Sequence, residues 1–65
     1  MKKLIYKICK YDENGISELI SRDDCENEIK KEWEELIPEK GFDYYLSVGW
    51  ELNGKSLGTT LLNTK

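Results

Sequence analysis

The sequence predicts one small α+β domain of order ββαββ, a single helix packed on one face of a small antiparallel four-stranded sheet. Three observations lead there. Residues 42–52 alternate without a break through Phe42, Tyr44, Leu46, Val48, Trp50 and Leu52, then meet Asn53-Gly54, the favoured pair for a two-residue type I′ hairpin turn. Residues 3–11 (KLIYKICKY) alternate in the same way and are rich in β-branched and aromatic side chains. Between these strands, Cys25, Ile29, Trp33 and Leu36 recur at i, i+4, i+8 and i+11, one apolar stripe on a helix. At 65 residues the chain makes one domain, near the lower limit for a self-supporting core.

The first strand gives way to Asp12-Glu13-Asn14-Gly15, readable as a type I turn closing on glycine or as a two-residue Asn-Gly hairpin. Residues 16–21 (ISELIS) are the returning strand, with a helical alternative through Ile16, Leu19 and Ile20. Asp23 and Asp24 suit a helix N-cap, and Asp23 with Glu26 fits the capping-box spacing. Glu26 and Lys30 make a favourable i,i+4 pair, while Glu28, Glu32 and Glu35 gather on a solvated flank. Pro38 ends the helix at or before Ile37, and residues 38–41 read as a turn.

After Asn53-Gly54, residues 55–62 return. A regular two-residue hairpin pairs Trp50 with Leu57, Val48 with Thr59, Leu46 with Leu61 and Gly49 with Gly58. Tyr45 and Leu62 then share the hairpin's second face around a bare glycine pair. Trp33 and Trp50 are expected in the core.

Charge narrows the function classes. The net charge is −3, but residues 11–35 carry ten acids against Arg22, Lys30 and Lys31, while residues 1–10 carry four lysines and no acid. So acidic a middle third disfavours non-specific affinity for a phosphate backbone. There is no histidine, which removes Ser/His and Cys/His pairs; Cys9 and Cys25 lack metal-site spacing and read as two small buried hydrophobes. No metal or cofactor is expected. Residues 49–56 (GWELNGKS) match the phosphate-loop expression GxxxxGK[ST], but Trp50 and Leu52 continue a strand, and no long helix follows Lys55-Ser56. The match is coincidental, and the chain is not expected to be an enzyme or to offer a ligand pocket of about 300 Å³ or more. No apolar run approaches the roughly 20 residues of a membrane span, and the N-terminus alternates rather than forming a signal-peptide core; a cytoplasmic protein is expected.

Protein recognition is the class that remains. The first strand carries Leu4, Tyr6 and Ile8 on one face and Ile5, Cys9 and Tyr11 on the other, more apolar surface than one short helix covers. The expected function is therefore a small acidic protein-binding module. The Lys/Glu/Ile/Asn-rich composition suits a phage or mobile-element accessory protein that modulates or inhibits a host protein acting on nucleic acid. The candidate contact residues are Glu28, Glu32 and Glu35 on the helix, with Tyr45 and Leu62 on the hairpin, and a homodimer is a further option. The alternative is single-stranded RNA or DNA binding, with Tyr6, Tyr11 and Tyr45 as a stacking platform beside Lys7 and Lys10.

Overall fold

The computed structural model describes Met1–Lys65. Strands β1 (Lys2–Tyr11) and β2 (Ser17–Asp23), helix α1 (Glu26–Glu35), and strands β3 (Asp43–Leu52) and β4 (Lys55–Thr64) follow in that order. The strands form one open antiparallel sheet, arranged β2-β1-β3-β4. This is the expected ββαββ α+β fold, and the segment 16–21 is strand from Ser17 onward rather than helix.

Asp12 builds the first turn. Its carbonyl accepts from the Gly15 N–H (3.0 Å), and its side-chain Oδ1 accepts from the N–H groups of Asn14 (2.9 Å) and Ile16 (3.0 Å). This is the type I turn closing on glycine, with the aspartate side chain taking the place of a strand carbonyl. In the second hairpin Asn53 (φ 51°) and Gly54 (φ 80°) both occupy the left-handed region that a type I′ turn requires.

Strand parity decides the two faces of the sheet. Leu4, Tyr6 and Ile8 of β1 pair with Trp50, Val48 and Leu46 of β3, and all point to the helix side. Buried Ile29 and Trp33 of α1 join Tyr6, Ile8, Tyr44 and Leu46 in one core cluster, with Leu4, Leu36, Phe42 and Val48 packed at its margin. The helix is only ten residues long, roughly 15 Å at 1.5 Å per residue, and it lies over β1 and β2. The helix-side face of β4 and the outer part of β3 are left uncovered. Only eight of the 65 residues are buried.

Several expectations change on this frame. Trp33 is core at 5% exposed, but Trp50 is half-exposed at 50%, because the helix stops short of it. Cys25 is exposed and Cys9 only half-buried, so neither is a fully buried core thiol. Cys25, not Asp23 or Asp24, occupies the N-cap of α1 and makes no side-chain cap; Asp23 Oδ1 instead accepts from the Cys25 N–H at 2.8 Å, one residue before the helix. The last turn of α1 has no basic residue of its own. Lys65 supplies one, its Nζ donating to the carbonyls of Trp33 and Leu36 and standing 4.9 Å from the centre of the Trp33 ring. That charge sits at the negative end of the helix dipole and over an aromatic face.

The β3–β4 register also departs from a regular hairpin. Leu52 pairs with Lys55 and Glu51 with Ser56 as a two-residue turn demands, but Trp50 pairs with Gly58, leaving Leu57 as an extra residue. Beyond this bulge Gly49 faces Thr59, Val48 faces Thr60 and Ser47 faces Leu61; a second irregularity inserts Leu62 before Leu46 meets Asn63. Gly58, at φ 154°, turns its carbonyl onto Gly49: a Cβ on Gly49 would stand 2.2 Å from the Gly58 oxygen. The two glycines therefore do meet, through a backbone contact rather than as direct partners, and the bulge depends on both.

Candidate functional site

The two largest open hollows lie on opposite faces of the sheet. The expectation that so small a domain holds no hollow above about 300 Å³ is not met.

On the helix side, a groove of about 780 Å³ runs between α1 and β4. Its apolar lining is Leu4, Tyr6, Trp33, Leu46, Val48 and Leu62, and the helix contributes Glu26, Lys30 and Glu34 as one bank. Helical spacing explains that bank, since positions 26, 30 and 34 are successive i,i+4 neighbours. Glu26 is held from two sides, accepting from the Tyr6 hydroxyl at 2.7 Å and pairing with Lys30 at 2.6 Å. Those hydrogen bonds, the one from Lys30 foremost, hold the Glu26 carboxyl below its ordinary pKa; the hydrogen bond that Tyr6 donates to Glu26 pushes the Tyr6 phenol up. Beside the groove the uncovered strands expose Trp50 (50%), Leu57 (51%) and Leu62 (48%). Leu57 and Gly58 both stand opposite Trp50, so the bulge brings a leucine to the side where a regular hairpin also has one, and the extra residue at Leu62 brings a second.

The opposite face has no helix over it, and it divides into two halves. At one end Glu51, only 7% exposed, pairs with Lys7 at 3.2 Å and with Arg22, and the cluster helps to cover Ile5, which is itself buried. The hydrogen bonds from Arg22 and then Lys7 hold the Glu51 carboxyl below its ordinary range. Strand register places Arg22 and Lys7 side by side on adjacent strands, with Glu51 reaching them from β3. At the other end lies a hollow of about 560 Å³ lined by Cys9, Tyr11, Asp12, Glu13, Gly15, Asp43, Tyr45, Ser47, Thr59 and Leu61. Tyr11 and Tyr45 meet edge to face, ring centres 5.0 Å apart.

The sequence-predicted contact residues do not come together. Glu28, Glu32 and Glu35 are exposed on the β2 flank of α1, where Glu32 accepts from the Ser21 hydroxyl and Glu35 borders a shallow hollow with Ile8, Ile20 and Leu36. Tyr45 sits on the helix-free face and pairs with Thr64, whereas Leu62 lines the helix-side groove. They do not share a face, because the residue inserted at Leu57 shifts the alternation by one and turns Leu62 to the helix side. The stacking platform divides as well. Tyr6 is buried at 7% under the helix, Lys7 is tied to Glu51, and Lys10 lies on the helix side, 4.4 Å from the centre of the Phe42 ring and between Glu18 and Glu39. Only Tyr11 and Tyr45 remain together, and the charges around them are carboxylates.

Sequence reasoning missed Trp50, Leu57 and Leu61 as surface residues. The one signal for them was the pair of glycines at 49 and 58, which marks an irregular hairpin. Residues 49–56 form the end of β3, the turn and the start of β4, so Lys55 and Ser56 open a strand where a phosphate loop would open a helix. No helix is long and apolar enough to cross a membrane. Comparison with protein-family models, with curated proteins and with solved structures found no match to this chain.

Proposed function

We propose that this chain is a non-catalytic, acidic protein-binding module that modulates or inhibits a partner with a basic contact surface, such as a protein that handles nucleic acid. One observation carries the proposal: the helix covers only half of its own face, and Trp50, Leu57 and Leu62 are left half-exposed beside a groove whose charged margin is Glu26, Lys30, Glu34 and Lys65. A domain with so few buried residues forgoes stability by leaving such side chains in water, at about 25 cal/mol per Å² of apolar surface. A contiguous apolar surface rimmed by charge is the usual form of a protein contact site. The acids on both flanks of α1 favour a basic partner and speed its approach. A phage or mobile-element accessory role and a cytoplasmic location belong to the same proposal, the latter supported by two unpaired thiols.

The test is affinity capture from cells of the source organism, with the wild-type chain beside the triple variant Trp50→Ser, Leu57→Ser, Leu62→Ser. The wild type should retain one protein in a fixed ratio, and the variant, still folded by circular dichroism, should lose it. Equal retention by both, or none by either, would remove the proposal. Sedimentation of the purified chain alone decides whether that partner is a second copy, which the long, uncovered edge strand β4 also permits.

A further inference from the structure

The hollow on the helix-free face lies apart from the groove used above, and its chemistry is more specific. Its floor is Cys9, Tyr11, Tyr45 and Leu61; its rim is Asp12, Glu13 and Asp43. No lysine or arginine lines it. The ion pairs of the molecule engage Glu18, Glu26, Glu39 and Glu51, and none reaches these three carboxylates. The nearest lysine in sequence, Lys10, is directed away by strand parity and held by Glu18 and Glu39. The rim is also built rather than incidental: Asp12 is fixed by the two turn amides its Oδ1 accepts, and Asp43 is placed directly opposite Tyr11 by strand pairing.

We infer that this hollow receives a cationic side chain, specifically an arginine, presented by a protein partner. A planar guanidinium stacks against a tyrosine ring and forks its N–H donors to carboxylates, and the hollow offers both kinds of surface together. A phosphate-bearing ligand would meet three uncompensated negative charges there. A metal ion is not the occupant either, since the carboxylates do not gather into a set that could hold one. The inference rests on the protein-binding proposal and extends it, giving the basic partner a defined point of entry.

The experiment is a titration of the ¹⁵N-labelled full chain with Nα-acetyl-arginine amide, with the uncharged Nα-acetyl-citrulline amide and a short oligothymidylate as parallel probes. Amide shifts should concentrate at Cys9, Tyr11, Glu13, Asp43 and Tyr45 with the arginine probe and be absent with the other two. The double variant Glu13→Gln, Asp43→Asn should bind the arginine probe about fivefold more weakly, as loss of exposed charge pairs implies. Tyr45→Leu should weaken it too, while Tyr45→Phe, which keeps the ring, should not. In a Cys25→Ser background, the arginine probe should slow alkylation of Cys9 on the hollow's floor. Equal binding of the citrulline probe overturns the inference, as do shifts spread evenly along the acidic helix. Binding of the oligonucleotide at these tyrosines overturns it in favour of a nucleic-acid surface. If the arginine probe fails while partner capture still depends on Trp50, Leu57 and Leu62, the hollow is discarded and the binding proposal stands.

Discussion

Replacing Gly49 by alanine inverts a common rule, and the structure gives the size of the effect. Gly→Ala at an unstrained strand position stabilises by about 0.4–1 kcal/mol, because the unfolded chain loses freedom. At Gly49 the new Cβ would lie 2.2 Å from the Gly58 oxygen and 3.2 Å from both the Gly58 carbonyl carbon and the Thr59 Cα. All three are backbone atoms, so no side chain can swing aside. The closest contact falls about 1.2 Å short of ordinary van der Waals distance, and relieving it means opening the bulge. Overpacking of this kind costs about 1–3 kcal/mol, and one lost ladder hydrogen bond adds about 1 kcal/mol. The expected loss is therefore about 2–4 kcal/mol, a large part of the roughly 3–10 kcal/mol that 65 residues sustain. Urea unfolding followed by tryptophan fluorescence should show the midpoint falling by about 2 M or more, with a slope near 1 kcal/mol per M for so small a domain. A midpoint unchanged or raised would refute the reasoning, and with it the bulge that sets the positions of Leu57, Leu61 and Leu62.

The remaining predictions use the same domain. Trp33→Ala should cost about 3–5 kcal/mol as a core deletion, while half-exposed Trp50→Ala should cost about 1–2 kcal/mol; equal losses in urea unfolding would contradict the partial cover given by the helix. Lys65→Ala removes the cation at the helix C-terminus and over Trp33, and should cost about 1 kcal/mol, with faster amide exchange in the last turn of α1; unchanged exchange would speak against that cap. The carboxyl of Glu51 has a lowered pKa in the fold, so its contribution is present above the ordinary carboxylate range and is lost as pH falls through the folded value. Acid unfolding should thus set in at lower stability and with a flatter pH dependence in Glu51→Gln; an unaltered acid limb would mean that the cluster with Arg22 and Lys7 is not formed in solution. Tyr6 has a raised pKa, so its share of stability is present below pH 10 and declines as the pH climbs toward the folded value; Tyr6→Phe should lose that alkaline limb.

The alternation from Tyr44 to Leu52, the Asn53-Gly54 turn and the Ile29/Trp33 stripe were legible in the sequence because each depends on local periodicity or on φ preference. They suffice for the ββαββ order. The strand order β2-β1-β3-β4 and the position of the helix over β1 and β2 depend on long-range pairing, which no local pattern carries. Trp50 illustrates the gap: alternation assigns it to the core-side face, but the reach of a ten-residue helix decides whether that face is covered at position 50. Tyr45 and Leu62 illustrate another. In a regular hairpin they would be direct partners, and the single residue inserted at Leu57 carries Leu62 to the opposite side. Glycines at 49 and 58 hinted at irregularity without fixing its register. The Tyr11/Tyr45 hollow likewise needed the β1–β3 pairing, which places Cys9 opposite Tyr45 and Tyr11 opposite Asp43.

Binding through the uncovered half of the helix-side face is tested most directly by the affinity of the captured partner for two chains, the wild type and the variant Trp50→Ser, Leu57→Ser, Leu62→Ser. Apolar anchors of this kind carry about 1 kcal/mol or more each, so loss of all three should lower the affinity by about 100-fold or more while the variant keeps its circular dichroism spectrum and a cooperative unfolding transition. An affinity within about twofold of the wild type would contradict the claim that this face is where the protein binds.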